Sequence, residues 1–116
     1  MKQTDSNDKN ISPRFSIRDG GKTASGGTRM LLTGHLDADA APDAADTLRS
    51  MLEHGCRDLE LDCTGLQFIS STGIGTIVAV VGEYRDLGGE VVLRHLAPGI
   101  REIFESLDLL DYVTVL

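Results

Sequence analysis

The sequence predicts an α/β fold with a mixed, mostly parallel sheet of about five strands, opened by an antiparallel hairpin and covered by helices mainly on one face. Three observations lead there. Short strand-like stretches, alternating or continuously apolar, recur along the chain, at Phe15-Ser16-Ile17, Arg29 to Leu36, Leu59 to Cys63, Val91-Val92-Leu93 and Tyr112 to Leu116. Between the later ones lie segments whose apolar residues recur at helical spacing. The order β-β-α-β-α-β-α-β that results is the pattern of a parallel sheet with crossover helices.

Element by element, Phe15-Ser16-Ile17 and Arg29 to Leu36 form the hairpin, with Asp19 to Gly27 as its glycine-rich loop. Asp39 to His54 reads as a helix: Ala41, Ala44, Ala45, Leu48, Met51 and Leu52 share a face, Pro42 sits in the first turn and Gly55 follows the last. Asp37, Asp39, Asp43 and Asp46 crowd its start, where the helix dipole favours negative charge. Leu59 to Cys63 is a strand ended by a turn at Thr64-Gly65. A second helix over about Thr72 to Leu87 carries Ile74, Ile77, Val78, Val81 and Tyr84 and stops at Gly88-Gly89. Pro98 starts a short third helix with Ile100, Ile103, Phe104 and Leu107 on one face.

One domain accounts for the 116 residues: 1–12 is a polar lead-in with little to bury, expected to be disordered, and 13–116 is the folded unit. Hydrophobic residues are 41% and aromatic residues only 4%, so aliphatic side chains must fill the core. The net charge of -7 opposes binding to nucleic acid. No signal-peptide pattern or apolar run of membrane length is present, so no membrane insertion and a cytoplasmic location are expected, and the Asn10-Ile11-Ser12 sequon is a chance match. Cys56 and Cys63 form no CxxC and have no His at zinc spacing; they read as buried free thiols, with no metal expected.

Several short motifs fail on their geometry. Gly21-Lys22-Thr23 resembles the end of a P-loop, but that loop needs Gly where Ser16 stands and a helix after Thr23. Gly73-Ile74-Gly75 lacks the third glycine of a dinucleotide fingerprint, since Val78 occupies its position. His35, His54 and His95 are scattered, and no spacing pairs one with Ser71 or a cysteine. Neither a cofactor nor catalysis is expected.

Phe68 to Gly75 stands apart. It joins the end of a strand to the start of a helix, the place where α/β sheets gather binding sites, and places Ser70, Ser71 and Thr72 ahead of Gly73 and Gly75. Helix capping accounts for one hydroxyl, at about 0.5–2 kcal/mol. Phosphorylation is the alternative use, because an added phosphate would meet the positive end of the helix dipole. The residues alone favour capping.

From Phe15 to Leu116 the chain resembles STAS domains of the bacterial anti-sigma factor antagonist type. The resemblance is carried by Leu32 to Asp37, by Leu61 to Ile69, and by Ser70-Ser71-Thr72-Gly73-Ile74-Gly75, which lies over that family's Asp-Ser-Ser-Gly-Leu-Gly loop. It implies a module that binds an anti-sigma factor doubling as a serine kinase, and so releases a sigma factor. It also implies phosphorylation at Ser71, with a serine phosphatase restoring the unmodified form. Ser70 stands where the family usually keeps an acid, and Thr72 where it keeps a second Ser. The implied switch loop is Ser70, Thr72, Gly73 and Gly75 around Ser71. The implied partner surface adds Asp37, Asp39, Thr76 and Glu83. Two other roles stay open: an unphosphorylated scaffold subunit of a stress-signalling or lipid-transport complex, and a small-ligand or nucleotide sensor.

Overall fold

A computed structural model describes residues 14–116. The sheet order is sequential: β1 (Ser16–Lys22), β2 (Thr28–Leu36), β3 (Asp58–Ile69), β4 (Glu90–Arg94) and β5 (Thr114–Val115). The β1 and β2 strands are antiparallel, and every later neighbour is parallel. Helices α1 (Ala41–Glu53), α2 (Ser71–Asp86) and α3 (Pro98–Ser106) make the connections. The expected α/β architecture is therefore present. The polar lead-in and its sequon lie outside the described residues.

Alternation along the strands sends one set of side chains into the core. Met30, Leu32 and Leu36 from β2, Leu59, Leu61 and Cys63 from β3, and Val91 and Leu93 from β4 are buried together against Leu48, Ile77, Val81, Tyr84 and Phe104 of the helices. Tyr84 is completely buried, and its hydroxyl donates to the Leu48 carbonyl at 2.7 Å, which satisfies the one polar atom it carries inside and fastens α2 to α1. The intervening residues Arg29, Leu31, Glu60, Asp62 and Arg94 belong to the opposite side of the pleat. No described helix is long and apolar enough to cross a membrane.

Five sequence expectations need correction. The hairpin loop is shorter than Asp19 to Gly27, because β1 continues to Lys22 through an irregularity between Asp19 and Lys22. Gly21 turns there at φ +89, held by its N–H donating to Asp19 Oδ1 at 2.7 Å. Thr64-Gly65 is no turn: β3 runs on to Ile69, and its register against β2 shifts between Leu31 and Thr33 and again between Gly34 and His35. A Cβ on Gly65 would lie 2.6 Å from the Thr33 side chain, so that glycine serves close strand approach. On α3, Ile100 and Phe104 are buried while Ile103 and Leu107 are exposed, and the last strand shrinks to two residues. Finally, only Cys63 is buried; Cys56 is half-buried.

Candidate functional site

The carboxyl ends of β2 and β3 lie side by side, with Leu36 paired to Ile69. The chain leaves β3 at Ser70, whose N–H donates to the Leu36 carbonyl at 3.0 Å. Ser70 keeps an extended backbone (φ -89, ψ 172), and its Oγ accepts from Gly73 N at 3.1 Å. That geometry defines an N-cap, and Ser70 provides it.

Ser71 is consequently relieved of capping. It is the first residue of α2, exposed, at a helix end with no acidic side chain in the first turn. Thr72 is exposed beside it, and its carbonyl accepts from Thr76 Oγ1 at 3.0 Å, so the Thr76 hydroxyl is tied into the helix. The two glycines differ. A Cβ on Gly73 would stand 2.4 Å from the Leu36 carbonyl oxygen and 2.9 Å from Ile69, so only glycine lets α2 start this close to β2. Gly75 is exposed with open space where its Cβ would be.

Gly75 forms part of a shallow 480 Å³ groove between α1 and α2, walled by Ala41, Ala45, Thr72, Thr76 and Ala79. Sequence reading missed this groove, although Ala41 and Ala45 on one helix and Gly75, Thr76 and Ala79 on the other recur at three- and four-residue spacing and signal a close helix pair. Arg49 lines it too and forms a two-pronged ion pair with Glu83, Nε–Oε1 2.7 Å and Nη2–Oε2 2.8 Å. The hydrogen bond from Arg49 holds the Glu83 carboxyl below its ordinary range against the opposing effect of burial, with the Arg49 charge adding to it.

Of the residues named for a partner surface, Glu83 is therefore engaged with Arg49. Asp37 uses Oδ1 to accept from Ala40 N at 3.0 Å and leads into α1, whereas Asp39 is exposed. Ser70, Ser71, Thr72, Gly73 and Gly75 are contiguous at the helix start, and Thr76 lies one turn along. The histidines stay apart. His35 stacks at a tilt on exposed Phe68, with centroids 5.4 Å apart; His54 closes α1, its Nδ1 2.7 Å from the Ser50 carbonyl; His95 follows β4.

This fold, with a strand-to-helix loop of hydroxyls and glycines, defines a STAS domain. The chain belongs to that family: residues 22–115 match the family model described as Mlab, STAS domain. Among individual proteins, it is 34% identical over 74 residues to BtrV of Bordetella bronchiseptica, which is named as an anti-sigma factor antagonist. That match spans 64% of this chain and 64% of the relative. The crystal structure of an anti-sigma factor antagonist from Mycobacterium paratuberculosis is similar with a TM-score of 0.71 at 19% identity, covering 86% of this chain and 85% of the other. Bacillus SpoIIAA in its phosphorylated form gives 0.66 at 17% identity, covering 89% and 91%. At such identities the structural likeness speaks for the fold alone.

Proposed function

We propose that the chain is an anti-sigma factor antagonist, a non-catalytic module that captures an anti-sigma factor with serine-kinase activity and so releases a sigma factor, and that Ser71 is the phosphoacceptor. The observation that supports this is the separation of two adjacent hydroxyls: Ser70 caps α2, which leaves Ser71 exposed and uncommitted at the helix start. A phosphate there adds about -1.5 to -2 of charge where the helix dipole is positive, so the fold survives the modification. The alanine- and glycine-walled groove beside it suits a partner helix, because small side chains let backbones approach. Phosphorylation would set a dianion at the rim of that contact and expel the partner. ATP is consumed by the partner kinase; a phosphatase reverses the step.

Ser70 in place of the family's acid favours a second reading, an unphosphorylated scaffold subunit. Incubation with kinase-type anti-sigma factors and ATP, read by intact mass and phosphosite mapping, separates the two. Transfer of one phosphate to Ser71, abolished in Ser71→Ala, is the expected result. A Ser71→Asp variant should keep the parent's circular dichroism and lose the partner. Binding without phosphate transfer by every cognate kinase favours the scaffold, and unfolding of Ser71→Asp contradicts the helix-dipole argument.

A further inference from the structure

The helix-free side of the sheet carries a second constellation, remote in role from the Ser71 loop. Arg29 on β2 and Arg94 on β4 flank Glu60 on β3 and share its carboxylate: Arg29 Nε donates to Oε2 at 2.7 Å, and Arg94 Nε lies 3.3 Å from Oε1. The Glu60 side chain is only 14% exposed, whereas the two arginines are 34% and 42% exposed. One carboxylate thus fixes two guanidiniums by their Nε edges. Among the described residues their Nη groups take no further protein partner, which leaves two oriented donor pairs whose charge is balanced by Glu60 and by Asp62 in the same lining.

A 590 Å³ depression lies over this pair. Its rim carries the hydroxyls of Thr23 and Ser25, 3.2 Å apart in the hairpin turn. His95 closes another side from a left-handed backbone, φ 63, an uncommon conformation for a residue with a side chain. Asp62, also in the lining, is occupied: its Oδ1 accepts from Thr64 Oγ1 at 2.6 Å and from Thr64 N at 3.0 Å. The space is in the range of small-molecule sites.

We propose that this depression binds a small phosphate monoester, its phosphoryl oxygens accepting from the Nη groups of Arg29 and Arg94 and its hydroxylated body resting against Thr23 and Ser25. A ligand carboxylate would have only two oxygens to divide between the forks, whereas the three terminal oxygens of a phosphate monoester can serve two forks set on different strands, with an oxygen to spare. Glu60 is a positioning residue, holding both forks without touching the ligand.

The test is a titration of the isotopically labelled full chain with ribose 5-phosphate, with ribose and inorganic phosphate as separate arms, followed by NMR. Ribose 5-phosphate should shift the Arg29 and Arg94 Nε–H signals and the Thr23 to Ser25 amides saturably; ribose should not. Arg29→Gln and Arg94→Gln should each weaken binding about tenfold, the loss of roughly one charge-assisted hydrogen bond, with melting unchanged. Glu60→Gln should weaken it too, and should raise the mobility of both arginine side chains. Inorganic phosphate binding as tightly as the sugar phosphate would remove Thr23 and Ser25 from the site. Unsaturable shifts, shifts confined to the start of α2, or parent affinity in both arginine variants would overturn the proposal.

Discussion

Glu60 and Leu61 are consecutive on β3 and live in different media. Leu61 faces the helices and is fully buried among aliphatic neighbours; Glu60 faces away and joins two arginines at the edge of solvent. The comparison teaches that this chain divides its labour across the sheet. One side excludes water and supplies the free energy of folding, while the other can carry charge because it is not asked to fill a core. The Ser71 loop lies where the two regimes meet, at the strand ends.

The largest effect that would break the comparison is in the core. Leu61→Ala should cost about 2–5 kcal/mol in urea unfolding, from lost burial plus a cavity, whereas Glu60→Gln one position earlier should stay within about 1 kcal/mol. Equal losses would mean that the open face is structural after all. The glycines come next. Gly73→Ala must push the Leu36 carbonyl away and should cost about 1–3 kcal/mol, while Gly75→Ala, in open space within a helix, should be neutral or stabilising by up to about 1 kcal/mol. Smaller again is the cap: Ser70→Ala should cost about 1 kcal/mol and Ser71→Ala almost nothing, measured by thermal melts.

The smallest effect belongs to the Arg49–Glu83 pair. Because the hydrogen bond from Arg49 lowers the Glu83 carboxyl in the fold, its contribution is present above the ordinary carboxylate range and disappears as pH falls through the lowered value. Stability measured against pH should therefore decline more steeply in acid for the parent than for Glu83→Gln. The difference should be about 0.2–1 kcal/mol, since both groups are partly solvated.

Much of this was legible in the sequence because local signals agreed with the tertiary arrangement. Pro42 and Pro98 do open helices, and most of the apolar residues at helical spacing on α1 and α2 are buried, with Met51 and Val78 half-buried. Thr64-Gly65 misled because a glycine in a strand can mean a turn or a close approach, and only the presence of Thr33 across the pair decides between them. Ile103 was misplaced because helical spacing identifies a face without saying how much of it the sheet is wide enough to cover. At the helix start the sequence offered three hydroxyls and no way to apportion them; the extended backbone at Ser70 does so. The ion pair joining Arg49 to Glu83 was beyond reach, since it depends on how α1 and α2 lie against each other.

The short last strand has a consequence for how the molecule behaves in a crowd. A sheet with a long, flat margin invites another chain to add to it, and that is a common route to aggregation. Here one margin, β5, offers only Thr114 and Val115, and the other, β1, is broken by the irregularity at Asp19 to Lys22 and bears the charges of Arg18, Asp19 and Lys22. Neither border gives an incoming strand a long ladder to read. The domain can thus leave its strand ends open, where the proposed Ser71 contact lies, while its flanks discourage growth into ribbons.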